Sequence, residues 1–229
     1  MDLFTEIVMI PIDKSILKTL PEIGHLAPII LTMGSLFFAA TTFNYPLAVL
    51  GLSSLEAGGI YTLIKILADY TITPSMLETK DKSAECSSYF ETLTPSRFSF
   101  LFNKGVKGSF PNYPLYFISF AAASCIDSLM YYSKECSALG PQYSNRLYLA
   151  LASAAMFIIL YMLYLMVYGC DSVFTLLFTV AVGILVGYLL SYQNATLFGK
   201  PSVNLLFIPT IVERTGLDYI CVSSKTPSS

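Results

Sequence analysis

RLYLALASAAMFIILYMLYLMVYG, residues 146–169, is separated by a single cysteine from DSVFTLLFTVAVGILVGYLLSY, residues 171–192. No charge lies between Arg146 and Asp171, and none follows Asp171 within the second run. A third run, YPLYFISFAAASCIDSLMYY, covers 113–132. A bilayer core of about 30 Å needs roughly 20 apolar residues in a helix. A soluble amphipathic helix would show a polar face every three or four residues, and these runs do not. The reading is an all-α, polytopic transmembrane helical bundle.

Composition agrees. The chain has 229 residues, 55% hydrophobic and only 12% charged. A soluble domain carries about 25% charged residues. Mean hydropathy is +0.64. The net charge of −2 gives no basic footprint for nucleic acid. A separate soluble domain has little length left to occupy.

Working outward, 26–43 reads as a first span, rich in small residues. Asn44, Tyr45 and Pro46 form a break, because proline lacks a donor and restricts its predecessor. Residues 47–70 read as a weaker second span holding Glu56, Gly58, Gly59 and Lys65. One tilted span over 26–52 is the alternative. About five spans therefore fill a membrane domain over 26–192, with a polar loop at 71–112. Residues 1–25 begin acidic and are broken by Pro11 and Asp13, so they read as an interfacial amphipathic segment rather than a secretory signal. Residues 193–229 read as an extramembrane tail.

With five spans, the N-terminus, the 71–112 loop and the 169–171 turn share one side. That side carries Lys14, Lys18, Lys80, Lys82, Arg97, Lys104 and Lys107. The other carries Lys134, Arg146, Lys200, Arg214 and Lys225. The small excess favours an inside N-terminus.

Five cysteines show no CxxC or CxxH spacing. Cys125, inside a span, behaves as a small apolar residue. Cys86, Cys136 and Cys221 lie outside the spans, and whether two of them pair is left open. His25 is the lone histidine, so no metal site is expected, and no cofactor motif is present. Sixteen tyrosines are accompanied by no tryptophan. Tyr113, Tyr116, Tyr131, Tyr132, Tyr188 and Tyr192 cluster at span ends and read as interfacial anchors. Gly183 and Gly187 form a GxxxG, expected to let another helix of the same chain approach closely. Asn194-Ala195-Thr196 fits the glycosylation pattern but follows the last span at once. Glu56 and Asp127 are ionisable residues at membrane depth, where burying a charge is expensive. Both read as protonated or interfacial acids, Asp127 near enough to Ser133 to reach water, with an ion path as the alternative. Glu56 could meet Lys65 only if the helix bends.

The segment Gly108-Ser109-Phe110-Pro111-Asn112-Tyr113-Pro114 opens the 113–132 span. It resembles the Ser-Phe-Pro-Ser-Gly-His segment of the phosphatidic-acid-phosphatase type 2 superfamily, which also starts a transmembrane helix. The order of parts is similar too. Lys65 precedes Pro74 at the end of the second span, the polar loop and Ser109–Pro111 follow, and Asp171 sits between the last two spans. The resemblance implies that Lys65, Pro74, Ser109, Pro111 and Asp171 share one membrane face. It also implies a degenerate member. The positions for Ser-Gly-His read Asn112-Tyr113-Pro114, and Thr73 stands where arginine belongs. The spacing from Lys65 is one residue too long, and no histidine follows residue 25. Such enzymes need a histidine nucleophile, a histidine acid/base and cationic donors for the phosphoryl oxygens. No catalysis is expected here. The bland alternative is a generic five-span bundle in which Ser-Phe-Pro simply starts a helix.

Inactive relatives of that fold occur among membrane proteins of large icosahedral DNA viruses. The tail Asn204-Leu205-Leu206-Phe207-Ile208-Pro209 looks similar to tails of such proteins. Together with Phe98, Phe100 and Phe102 in the loop, Leu205, Leu206 and Phe207 form apolar patches too short to cross a bilayer. The expectation is a structural or assembly protein that anchors a larger complex to a membrane, such as a virion's internal membrane. Its partners would be the lipid bilayer and other proteins of the assembly. A lipid-phosphate phosphatase-like enzyme, a lipid-binding pseudoenzyme and a transporter are the alternatives.

Overall fold

A computed structural model of the chain describes residue 24 and residues 26–71, 111–138, 145–167 and 171–205. The described residues form six helices and a 3-10 turn, with no strand among them. The protein is an all-α transmembrane helical bundle.

Helix α1 covers Leu26–Thr42 and contains a π-helical turn at Ile30–Gly34. It ends where Phe43 adopts the left-handed conformation, φ 52°, and its N–H bonds the Ala39 carbonyl. Asn44 then accepts from the Leu47 N–H, and α2, Tyr45–Thr71, begins. Pro46 in this first turn lacks only an N–H that would have no partner in the helix. The chain therefore reverses at 43–44, and a single tilted span over 26–52 does not form. Helix α3 is Tyr113–Tyr131, and the short α4 is Ser133–Ala138. Helices α5, Arg146–Val167, and α6, Val173–Phe198, follow. Gly199, at φ 82°, turns the chain into the 3-10 turn Lys200–Val203.

Four helices, α2, α3, α5 and α6, are long and apolar enough to cross a membrane. Helix α1 is apolar but shorter, so five spans become four long ones and a short companion. Helix α3 is the central element. Its apolar window is 67% buried inside the protein, against 22% for α5. Leu149, Phe174 and Leu177 on the flanking helices are exposed, as lipid-facing side chains are.

The α3–α6 contact explains the two glycines. A Cβ on Gly183 would lie 2.6 Å from the Tyr116 carbonyl oxygen and 2.7 Å from Ser119 Cβ. On Gly187 it would lie 2.7 Å from the Phe120 carbonyl oxygen. The bare backbone of α6 is therefore seated on the backbone of α3, within one chain. Leu115, Ile118, Tyr161, Leu165 and Leu176 form one core cluster of α3, α5 and α6. Ala57, Tyr61, Tyr116, Phe117, Phe120 and Leu190 join α2, α3 and α6 in another.

Two tyrosine assignments are corrected by this packing. Tyr116 and Tyr132 are fully buried rather than interfacial. Their hydroxyls donate to the Ala57 carbonyl at 2.9 Å and the Lys200 carbonyl at 2.9 Å. A buried tyrosine needs such a partner. Tyr188 and Tyr192 remain exposed, as anchors require.

Candidate functional site

Two of the residues that the phosphatase resemblance singles out, Pro111 and Asp171, lie at the start of α3. Asn112 is the N-cap of α3, and its Oδ1 accepts from the Leu115 N–H at 3.1 Å. Its Nδ2 donates to Asp171 Oδ2 at 2.7 Å, and its backbone N–H donates to Thr179 Oγ1 at 3.2 Å. Tyr61 donates its hydroxyl to the carbonyl of Pro111 at 2.7 Å. The Tyr113 ring packs edge-on against Tyr61, with centroids 4.8 Å apart. The C-terminal part of α2, the first turn of α3 and the residues entering α6 thus meet at one end of the bundle. Ser172 completes this end by capping α6, accepting from the Thr175 N–H at 3.3 Å.

Pro111 and Asp171 are brought together here. Lys65, half buried, lies one helical turn beyond Tyr61 on α2 and makes no ion pair among the described residues. Pro74 and Ser109 lie outside the described residues. So do His25, Cys86, Cys170 and Cys221, the loop residues Phe98, Phe100 and Phe102, and the tail residues Leu206 and Phe207. The arrangement can hold polar backbone ends in place. Asn112 and Tyr61, which do much of the holding, carry no charge. Beside it, a cavity of about 270 Å³ opens between α1, α2 and α3, lined by Thr32, Ser54, Gly58, Thr62, Tyr113 and Phe117. No group of three or more His, Cys, Asp or Glu side chains able to hold a metal occurs among the described residues.

The opposite end fixes the start of the tail. Lys200 Nζ donates to Glu135 Oε1 at 2.5 Å and stands 4.7 Å from the centroid of the Tyr132 ring. The bond from Lys200 holds the Glu135 carboxyl below its ordinary value of 4.5, against an opposing push from burial. Ser202 donates to the Asn194 carbonyl at 3.0 Å, and the Leu205 N–H donates to Ser128 Oγ at 3.2 Å. Val203 is buried with Leu129, Tyr132 and the free thiol of Cys136. Leu205, expected to face a partner, is half buried against its own bundle. Asn194 is buried, and its amide donates to Ser53 Oγ at 2.6 Å, so the glycosylation pattern is occupied by packing.

The two acidic residues at membrane depth have contrasting surroundings. Glu56 is exposed and accepts from Gln193 Nε2 at 3.2 Å, with no bend toward Lys65. Asp127 does not reach out to water. It is 5% exposed, and its Oδ2 has no hydrogen-bond partner among the described residues. Sequence reasoning also missed Tyr61 and Thr179, which carry hydrogen bonds of the α3 start, and the Glu135–Lys200 pair.

These features define a class, a membrane-spanning helical bundle tied at both ends by polar contacts. No known protein family, curated protein or solved structure matches the chain.

Proposed function

We propose that this protein is an integral membrane structural or assembly protein that anchors a larger complex. The observation that carries the reading is the clamped tail root. Lys200–Val203 and Leu205 are tied to α3, α4 and α6 through Tyr132, Glu135, Ser128 and Asn194. Whatever follows Leu205 therefore leaves the membrane domain from a fixed point. A load on the tail is transmitted into a packed bundle rather than into a free linker. The next residues in the sequence, Leu206, Phe207 and Ile208, are apolar and would be the part that meets the partner. Their likeness to tails of virion membrane proteins makes an internal virion membrane the setting we propose.

The phosphatase-like face supports the same reading. Where catalysis would need imidazole and cationic groups, Asn112 and Tyr61 are committed to capping and bridging. Truncation after Leu205 tests the proposal, because it spares the clamp. The shortened protein should insert and keep its helical content while leaving its complex. Assembly at normal occupancy without residues 206–229 would sink the anchor reading.

A further inference from the structure

The bundle carries a second, larger cavity that the anchor reading does not use. A groove of about 490 Å³ runs between α3, α5 and α6. Ile126, Met130, Ala155, Ile158 and Ile184 line it, and Tyr188 stands in its wall. Its size falls within the ~300–1,000 Å³ typical of sites for small amphiphilic molecules. All three helices are candidate spans, which puts the groove at the depth of the bilayer hydrocarbon.

One ionisable acid lies in this wall. Asp127 lines the groove, is 5% exposed and offers Oδ2 with no protein donor among the described residues. A buried carboxyl without a donor is costly, and the cost is removed by a donor arriving with a ligand. Asp127 is also one turn before Tyr131, the last residue of α3. It therefore sits where the head of a membrane-embedded molecule would lie, with its chain running along the groove.

The lining selects among heads. No lysine, arginine or histidine lines the groove among the described residues, so none of them offsets a phosphate. A phosphate head would bring further acceptor oxygens to a carboxyl that already lacks a donor, with no cation among the described lining residues to hold it. A head that donates a hydrogen bond and carries positive charge meets the opposite situation. Charge-assisted bonds to a carboxylate are roughly twice as strong as neutral ones. We infer that the groove between α3, α5 and α6 binds a phosphate-free, long-chain primary amine from the bilayer, with its ammonium on Asp127 and its alkyl chain along Ile126, Ala155 and Ile158.

The test uses the full chain in phosphatidylcholine nanodiscs and a long-chain primary amine bearing a diazirine. Photolabelling should saturate and map by mass spectrometry to α3, α5 and α6. Oleylamine should compete, whereas oleyl alcohol and oleate should need about tenfold more, the scale of one lost charge-assisted hydrogen bond. Asp127→Asn should lower labelling by a similar factor. Ala155 is exposed to lipid, so Ala155→Phe fills the groove without entering the core, and it should block labelling while the fold persists. Unsaturable labelling, equal competition by the alcohol, unchanged labelling of Asp127→Asn, or labelling that survives Ala155→Phe would each overturn the assignment.

Discussion

Asn112 and Asp171 stand 59 residues apart in the chain, yet the amide of one donates to the carboxylate of the other at 2.7 Å. The same asparagine caps α3 and donates its backbone N–H to Thr179. One side chain thus sets where α3 starts and how it meets α6. Asn112→Ala removes the cap, worth about 1 kcal/mol, and a hydrogen bond to a charged group, worth about 1.5–3 kcal/mol. The expected loss is about 2–4 kcal/mol of bundle stability, measured by denaturant or steric-trap unfolding. Asp171→Asn keeps an acceptor in place and should cost less. Equal losses would show that the bond to Asp171, and not the cap, carries the contribution of Asn112.

The two glycines of α6 make a sharper prediction. Alanine is a better helix former than glycine by about 1 kcal/mol, so an exposed Gly→Ala change would stabilise α6. Here the added carbon would meet the Phe120 carbonyl at 2.7 Å or the Tyr116 carbonyl at 2.6 Å, and backbone atoms cannot swing aside. Overpacking of this kind costs about 1–3 kcal/mol. Gly187→Ala and Gly183→Ala should each lower the melting temperature without changing oligomeric state. Dissociation of a dimer with unchanged melting would assign the motif to contacts between copies instead.

Much of this bundle is legible in the sequence, and the reason is physical. The runs over 113–132, 146–169 and 171–192 are too long and too apolar to be anything but spans, and each contains a long helix. The break at Asn44–Pro46 is also readable, because an asparagine cap and a proline in the first turn are local chemistry. Helix phase is not local. A tyrosine near a span end has the same composition whether its ring faces lipid or α2, so Tyr116 and Tyr132 could not be told from Tyr188. The phosphatase resemblance points to Pro111 and Asp171, and to Asn112 only as a departure from its motif. Tyr61 and Thr179 belong to no spacing rule, and the Glu135–Lys200 pair joins residues 65 apart. Asp127 looked solvent-reaching because only the packing of α5 and α6 beside it removes the water.

The tail clamp should respond to acid. Glu135 has its carboxyl held below the ordinary 4.5 by the Lys200 bond, so the folded state binds the proton less readily than the unfolded chain. Its contribution is therefore fully present above about pH 4.5 and is lost as pH falls through the lower folded value. Lys200 is 46% exposed, so the pair acts on tail position more than on global stability. A nitroxide on Leu205→Cys should be immobile at neutral pH and gain mobility in strong acid. Glu135→Gln should raise that mobility at neutral pH and abolish its dependence on acid. A label that is mobile at neutral pH in the unsubstituted background would remove the clamp.

The buried and interfacial tyrosines separate in a final comparison. Tyr116 is fully buried among Tyr61, Phe117 and Phe120, and its hydroxyl donates to the Ala57 carbonyl at 2.9 Å. Ala57 belongs to α2, so this bond and the one from Tyr61 to Pro111 cross-tie α2 and α3 in opposite directions. Removing one hydroxyl leaves the ring packing intact. Hydrogen bonds between membrane helices average about 0.6 kcal/mol, since the unfolded chain in lipid finds other partners. Tyr116→Phe or Tyr61→Phe should therefore cost about 0.5–1.5 kcal/mol, and the double change should approach the sum if the two bonds are independent. Tyr192 is 57% exposed and belongs to neither cross-tie. Tyr192→Phe should leave unfolding unchanged within error. Equal sensitivity of Tyr116 and Tyr192 to loss of the hydroxyl would return Tyr116 to the interfacial belt and undo the α2–α3 cross-tie.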